Sequence, residues 1–525
     1  MSASVRGVLK LGTSRAPSGQ PASSRAAIRA VWLRLVFQEL EIYEIHFLTE
    51  PDEGAMLPLV QKGTLRQILA SVAASLAGFN SGMWRVWPSL AIPFLKSDRS
   101  PFPVTKTDLS LIASLSYLSY FASPFLVKYI IRLGRKFCLL TSLLLFVLTW
   151  TGPSFATSPY IYFLSSISAG FGNGLSSLVL PLYIAEIAHS SIRGTLISAY
   201  VLFFTSGQIF TASIGFELSF HSLNLVGLSF SILCFSFAAM FLKETPQHHL
   251  IYGHDAKARE SYRYFHGNSA SKDGCECDES DPKGDTVDKD LEEMKKKILA
   301  EMSSKSSFRE LISSKGSRRA TLIVCLNSSL QMLAGTTCVI AFSSITLPPS
   351  GNFLTPDLTI LICLVLGIIS NSIGSYCIDK VGRKPLLALS SFVGFLVALS
   401  LATFYFISDK MDFDLRPYGL VAHILTMVYM TTYYAGMGII RPVFIGELFP
   451  TNVKVHASMI SILFLSASSF SINFFYLHVM GFVGVYAMFL FFAICNLLHF
   501  LSAIFVVIET KGKSLLEIQD LLKNL

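Results

Sequence analysis

Two stretches of the chain carry the same Gly-Arg-Lys cluster between long apolar runs: "YIIRLGRKFCLL" at residues 129–140 and "YCIDKVGRKPLL" at residues 376–387. Arg135 and Arg383 occupy the same place in the two stretches. A soluble protein would rarely put such a cluster between hydrophobic segments twice. The recurrence therefore predicts a membrane protein built from two copies of one helical unit.

The composition of the chain agrees with a lipid environment. Of its 525 residues, 52% are hydrophobic and only 14% are charged, whereas an ordinary soluble domain carries about a quarter of charged residues. The net charge of +8 does not indicate nucleic acid, because the basic residues lie between the apolar runs and in the tails. We expect a lipid bilayer as partner and no nucleic acid.

The apolar runs are long enough to cross a bilayer as helices. A spanning helix needs about 20 mostly apolar residues, and an isolated strand in lipid would leave its backbone groups unpaired. The sequence predicts an all-α polytopic membrane protein with twelve transmembrane helices in two six-helix pseudo-repeats. The predicted spans are 66–90, 108–130, 137–153, 160–183, 195–216, 223–242, 320–346, 357–378, 385–407, 418–446, 457–478 and 482–508.

The loops predict the orientation of these spans. Basic residues gather after spans 2, 4, 8 and 10 and in the long connection after span 6, while the other loops are shorter and less basic. Since Lys and Arg collect on the cytoplasmic side, we expect both termini and the long middle connection in the cytosol and a multi-pass protein of the cell membrane.

The same pattern predicts the division of the chain. Residues 1–63, which include "SRAPSGQPASSRA", are typical of a largely disordered tail. The predicted parts are a cytosolic N-terminal tail at 1–63, a six-helix bundle at 64–242, a cytosolic linker with short helices at 243–319, a second six-helix bundle at 320–508 and a cytosolic tail at 509–525.

A second repeated pattern indicates a gate. Glu186 precedes Arg193 by seven positions at the end of span 4, and Glu447 precedes Lys454 by seven positions at the end of span 10. Carboxylates and basic groups at helix ends attract each other strongly where water is scarce. Such clusters would hold the two halves together on the inner side and release them when broken. The alternative is that these basic residues only set the topology.

Several motifs carry a resemblance to a known family. They are "PLYIAEIAHSSIRGTL" at 181–196, "KETPQHHL" at 243–250, "IDKVGRK" at 378–384, "GELFPTNVK" at 446–454 and "IETKGKSLLEI" at 508–518. In this order they resemble the sugar-porter branch of the major facilitator superfamily, and within it the insect facilitated trehalose transporters.

The resemblance implies a passive carrier of a hexose- or disaccharide-type sugar that works by alternating access. It places an inner gate on residues that match the family motifs. These are Arg135, Glu186 and Arg193 in the first half, and Asp379, Arg383, Glu447 and Lys454 in the second half, with Glu509 and Thr510 in the tail motif.

The chain also departs from the family pattern, mostly where a sugar would bind. Hydrogen-bonding side chains of the family are replaced, and each neutral hydrogen bond contributes about 0.5–1.5 kcal/mol. We therefore expect a rearranged substrate site. The departures are Ile131 for an acidic residue, Ser166 for a basic residue, Val201 for Gln, Met332 for Gln, Thr337 for Asn, Arg441 and Pro442 for Pro and Trp, and Leu465 and Ser469 for Asn.

Polar residues within the spans are the candidate contacts for a small, uncharged solute. Each of them could instead bond to a neighbouring helix. The candidates are Gln331, Thr337, Asn80, Gln208 and Asn473. Arg441 is a further candidate, because a charge within a span often marks a substrate path. It would select an anionic solute, unless it reaches the interface or pairs with a nearby group.

A different class of function is a transport-inactive sensor that keeps the fold. An enzyme is not expected, because no nucleophile–base pair, metal-ligand cluster or phosphate loop stands out, so we predict no catalytic residue, metal or cofactor. No acidic residue lies in the middle of a span of the first half. This favours facilitated diffusion over proton symport. The oligomeric state is not indicated.

Overall fold

The computed structural model describes residues 62–266, 285–303, 310–348, 354–411, 416–450, 453–513 and 515–524. The predicted disordered tail, residues 1–63, lies outside the described residues except for its last two. The described residues form helices joined by short loops, with no strand among them.

The first six helices coincide with the first six predicted spans to within a few residues. They begin with a helix of 35 residues, which extends further at both ends than the sequence predicts. The six are α1 (Lys62–Lys96), α2 (Lys106–Ile130), α3 (Arg135–Ser154), α4 (Pro159–Ile187), α5 (Ser190–Gly215) and α6 (Phe220–Phe241).

The connection between the two halves contains four helices, which are α7 (Pro246–Ile251), α8 (Asp255–His266), α9 (Asp285–Ser303) and α10 (Glu310–Ser313). The helix α8 packs on the start of α1. Gln67 Nε2 donates to the Phe265 carbonyl at 3.0 Å, and Arg66 donates to the Tyr264 carbonyl at 3.1 Å. Phe265 is fully buried in the core of the first half.

The second half contains eight helices followed by a tail helix. They are α11 (Lys315–Leu333), α12 (Thr336–Thr346), α13 (Pro356–Val381), α14 (Arg383–Lys410), α15 (Gly419–Ala435), α16 (Met437–Leu448), α17 (Lys454–Phe482), α18 (Val485–Phe505) and α19 (Leu515–Asn524). Predicted spans 7 and 10 are thus each divided into two helices.

The break between α11 and α12 has a local cause. Gly335 has φ +87°, a left-handed conformation that a residue with a side chain adopts at a cost. A Cβ at this position would lie 2.4 Å from the Phe492 ring. The sequence predicts span 7 as one continuous helix, and that prediction is wrong at this point. Span 10 also breaks, at Gly436, which has a negative φ of −135°.

Ten helical segments of the described chain are long and apolar enough to cross a membrane. Of the twelve predicted spans, the two outside this set are α1, which carries Arg66 and Arg85, and the divided pair α15 and α16. The helices present large apolar side chains outward, among them Leu164, Leu233 and Phe505, which are 67%, 66% and 78% exposed. Such a surface suits lipid rather than water.

Candidate functional site

A first charged cluster lies where α3 begins and α4 ends. Arg135 Nη2 and Nε donate to Glu186 Oε1 at 3.0 and 3.2 Å, and Thr245 Oγ1 donates to Glu186 Oε2 at 2.5 Å. Arg135 and Glu186 are 9% and 6% exposed. Their opposite charges therefore compensate each other in a place where an unpaired charge would be costly.

Glu244 joins this cluster by capping α3. Its carboxylate accepts hydrogen bonds from the backbone N–H groups of Arg135 and Lys136 at 2.8 and 3.1 Å. N–H groups in the first turn of a helix have no acceptor within the helix, and a negative charge is favourable there. Gly134 makes the contact possible, because it has φ +128° and a Cβ on it would lie 2.2 Å from Glu244 Oε2.

A second charged cluster repeats this arrangement where α14 begins and α16 ends. Arg383 Nη2 and Nε donate to Glu447 Oε1 at 2.8 and 3.1 Å, and Thr510 Oγ1 donates to Glu447 Oε2 at 2.5 Å. Arg383 Nη2 also lies 3.0 Å from Asp379 Oδ1. Arg383 therefore contacts two carboxylates.

Glu509 caps α14 as Glu244 caps α3. It accepts from the backbone N–H groups of Arg383 and Lys384 at 3.1 and 3.0 Å, and Gly382 again has a positive φ, +107°. Partial burial alone would raise the pKa of Glu509. The backbone N–H groups that donate to its carboxylate outweigh that effect and lower the pKa.

The two clusters correspond residue by residue. The first charged cluster is Arg135, Glu186, Glu244 and Thr245, and the second is Arg383, Glu447, Glu509 and Thr510. Among the predicted gate residues, the structure pairs Arg135 with Glu186 and Arg383 with Glu447, whereas the described ranges show no ion pair of Glu186 with Arg193 or of Glu447 with Lys454. Of the two Glu-Thr pairs, the sequence analysis placed only the one in the tail, Glu509 and Thr510, in the gate. The signal for its counterpart was a Glu-Thr directly after each sixth helix, in "KETP" and "IETK".

The clusters differ at one position, where Ile131 stands in the place of Asp379. His248 occupies the free side of Arg135, with its Nδ1 3.0 Å from Arg135 Nη1. A guanidinium N–H can only donate, so Nδ1 accepts and the ring is neutral. Burial lowers the pKa of His248, and the positive charge of Arg135 acts in the same direction while Glu244 opposes it.

The remaining predicted gate residues make weaker contacts. Arg193 donates to the Ala188 carbonyl at 3.4 Å, and Lys454 lines a cavity of about 250 Å³ beside Arg383 and Glu447. Each charged cluster joins helix ends of one half, and within the described ranges no ion pair crosses between the halves. A latch between the two halves stays a prediction.

A second group of polar side chains lies between the two halves, and we call it the central polar site. Gln331 Nε2 donates to Tyr433 Oη at 3.0 Å, and Asn473 Nδ2 donates to Thr337 Oγ1 at 2.7 Å. Tyr117 of α2 is a polar neighbour of Thr337. The predicted residues Gln331, Thr337 and Asn473 therefore come together.

Several polar atoms in and beside this site are buried without a partner. Gln331 Oε1, Asn473 Oδ1 and Thr336 Oγ1 accept and donate no hydrogen bond, and their residues are 3%, 0% and 1% exposed. Buried polar groups are nearly always hydrogen-bonded. The central polar site therefore has unused capacity to bind the hydroxyl groups of a ligand.

Arg85 of α1 also belongs to the central polar site, and sequence reasoning missed it. Its Nη1 lies 3.4 Å from Tyr117 Oη, and its other polar neighbours are Tyr433, Tyr434 and Cys338. The sequence signal was an arginine within predicted span 66–90, in "GMWRVWPS", since a charge inside a span marks a functional position by default.

The other predicted contacts lie elsewhere. Asn80 is bonded to the Leu76 carbonyl and to Ser231, so it ties α1 to α6. Gln208 is buried on α5, and Arg441 Nη1 lies 3.4 Å from Ser461 Oγ. Within the part of the chain that the structure describes, none of the three hydrogen-bonds to the central polar site.

Comparison with protein families gives one match over most of the chain. The family model described as "Sugar (and other) transporter" matches residues 67–522. The chain is similar to the facilitated trehalose transporter Tret1 of Apis mellifera ligustica, with 25% identity over 86% of this chain and 87% of that protein. It is also similar to the sugar transporter ERD6-like 18 of Arabidopsis thaliana, with 31% identity over 78% of this chain and 82% of that protein.

Comparison with solved structures gives the same fold. The inward-open conformation of the xylose transporter XylE from E. coli superposes with a TM-score of 0.68, at 19% identity, over 86% of this chain and 98% of that chain. The described helices therefore adopt the fold of that protein, with the central polar site between the two sets of helices.

Proposed function

This chain belongs to the "Sugar (and other) transporter" family, and from that premise we propose that it carries a sugar across a membrane by alternating access. The observation that supports this most directly is the central polar site. It lies between the halves and keeps Gln331 Oε1 and Asn473 Oδ1 without partners, as a site that binds hydroxyl groups would.

We propose facilitated diffusion as the mode of transport, with trehalose or a hexose as the solute. Symport with protons would need a carboxylate that can reach the centre of the first half. The acidic residues of the first six helices and their loops are Asp98, Asp108, Glu186 and Glu217. Glu186 is paired with Arg135, and the other three lie at helix ends or in loops.

The two charged clusters and the central polar site have different roles in the proposed carrier. Each holds helix ends together in one half, so that the six helices can move as one body when the halves rock about the central polar site. We propose the bundles 64–242 and 320–508 as the moving bodies. We also propose that the charged clusters face the cytosol, with both termini, in the plasma membrane.

Uptake by purified protein in liposomes tests the proposal. Radiolabelled trehalose and glucose should enter until inside and outside concentrations are equal, and an imposed pH gradient should leave that end point unchanged. Empty liposomes give the background, and Gln331→Ala provides a variant of the central polar site with slower uptake. If neither sugar nor any polyol or organic anion entered above background, the carrier function would be wrong.

The sequence also allowed a transport-inactive sensor, which the family match does not favour, and one measurement separates it from the carrier. A sensor would bind trehalose or glucose in detergent solution but would not carry it into liposomes. Binding without uptake would replace the carrier by the sensor. Uptake that saturates at the concentration range of binding supports the carrier.

A further inference from the structure

Arg85 is a charged side chain inside the membrane region without a compensating charge. Its neighbours are the hydroxyl groups of Tyr117, Tyr433 and Tyr434 and the thiol of Cys338, which are ordinarily neutral at pH 7. Among the described residues no carboxylate forms an ion pair with it. By contrast, Arg135 and Arg383 each contact at least one carboxylate.

Arg85 lies among other helices rather than at the end of its own helix. It lies 11 residues before the end of α1 at Lys96, about 16 Å along the helix axis. Its neighbours belong to α2, α12 and α15, which come from both halves of the chain. The guanidinium therefore lies in the central polar site and not at the lipid surface.

The start of α12 adds to the positive character of this place. Gly335 interrupts the helix, and no side chain caps the N-terminus that begins at Thr336. The first N–H groups of a helix lack acceptors within the helix and favour negative charge. Cys338 of this first turn is a neighbour of Arg85, and Thr336 Oγ1 is buried without a partner.

Hydroxyl groups of a ligand would find acceptors in the same site. Gln331 Oε1 and Asn473 Oδ1 are unpartnered, and Gln331 is bonded to Tyr433, a neighbour of Arg85. An arginine fork matches the two oxygens of a carboxylate. One arginine would leave part of the charge of a phosphate dianion uncompensated, which favours the singly charged group.

We propose that this protein also carries a sugar that bears a carboxylate, as a uronic acid does, and that Arg85 binds this carboxylate while Gln331 and Asn473 accept from its hydroxyls. The proposal rests on the carrier function proposed above and specifies a further solute of the same site.

The charge of the solute gives a test that needs no variant. Liposomes with the purified protein are given radiolabelled glucuronate, glucose or glucose 6-phosphate under a potassium diffusion potential, positive inside, set with valinomycin. For a singly charged anion that moves alone, a potential of about 59 mV corresponds to a tenfold accumulation. We expect this tenfold ratio for glucuronate.

The outcomes separate the two proposals. If glucose reaches a ratio of 1 and glucuronate does not enter, the carrier function stands and the carboxylate inference is wrong. If glucose 6-phosphate accumulates and glucuronate does not, the ligand of Arg85 is a phosphate and the inference is again wrong. If none of the three solutes enters, the carrier function itself is in question.

Variants of Arg85 locate the effect. Arg85→Gln should lower the kcat/KM for glucuronate at least tenfold more than that for glucose, because a neutral hydroxylated solute does not need the charge. Arg85→Lys keeps the charge but loses the two-donor fork of the guanidinium. Its kcat/KM for glucuronate should lie between those of the parent protein and Arg85→Gln. Lys96→Gln removes a positive charge from the end of the same helix and serves as control. Equal losses for both solutes in Arg85→Gln would contradict the role of Arg85 in charge recognition.

Discussion

Replacing Glu186 by Gln should destabilise the protein more than replacing Glu447 by Gln, although each carboxylate binds an equivalent arginine. The side chain of Glu186 is 3% exposed and that of Glu447 is 26% exposed. Without Glu447, Arg383 Nη2 would still contact Asp379 Oδ1, which lies 3.0 Å away. Within the described ranges, the guanidinium of Arg135 would keep only the neutral ring of His248 as a hydrogen-bond partner.

These contacts set the size of the difference. Removal of one partner from a buried ion pair costs about 3–5 kcal/mol, because the other charge is left buried and uncompensated. Gln fills nearly the same volume as Glu, so the loss reflects charge rather than packing. We expect a loss of about 3 kcal/mol for Glu186→Gln. For Glu447→Gln we expect about 1 kcal/mol, since water and Asp379 still stabilise Arg383.

The free energy of unfolding, measured by titration with a denaturing detergent in mixed micelles, checks this prediction. The double variant Arg135→Gln with Glu186→Gln is the matched control, and it should regain part of the loss because neither charge is then left unpaired. Equal losses for the two single variants, or a double variant less stable than Glu186→Gln alone, would refute the reasoning.

Three further changes probe the fold, the first charged cluster and the central polar site. Gly335→Ala should lower the free energy of unfolding by at least about 1 kcal/mol, because of its φ of +87° and the ring against it. Gly446→Ala, whose Cβ would meet nothing within 4 Å, should be neutral or slightly stabilising. Thermal stability should fall as the pH drops below about 6.5, because the unfolded chain then takes up a proton at His248, whereas the lowered pKa in the folded protein keeps the ring neutral against Arg135 until a lower pH. His248→Phe should reduce that dependence, to which His249 and His266 also contribute because burial lowers the pKa of each, and an unchanged slope would contradict it. Gln331→Ala should raise the KM of sugar uptake about tenfold, consistent with the loss of one or two hydrogen bonds, and an unchanged KM would place Gln331 outside the substrate path.

The sequence predicted the helices well because their signal is long and local. Apolar runs of about 20 residues can hardly be anything but spans, and α2 to α6 follow the predicted limits to within a few residues. The breaks at Gly335 and Gly436 were missed, since a hydrophobicity average over a span does not register one glycine. They depend on contacts from distant residues, such as the Phe492 ring against Gly335.

The candidate site was predicted in part. The repeated Gly-Arg-Lys and Glu-x₆-basic patterns located Arg135 and Glu186, whose pairing the structure shows. They could not indicate whether each ion pair connects two helices of one half or helices of both halves, because that depends on helix positions in space. Arg85 was missed for another reason. The rule that a charge within a span is functional was applied to Arg441 but not to the equally isolated Arg85.

The packing of α8 limits where the chain can be cut if the protein is to be expressed as two fragments. A cut directly after residue 242 would remove Glu244 from the start of α3 and Phe265 from its buried place beside Gln67. A cut at the other border must spare Leu311, whose carbonyl accepts from Thr321. If the protein is produced as two fragments from two plasmids, the cut should therefore lie after residue 266 and before residue 310. The first fragment then keeps the contacts of Glu244 and Phe265, and the second keeps that of Leu311.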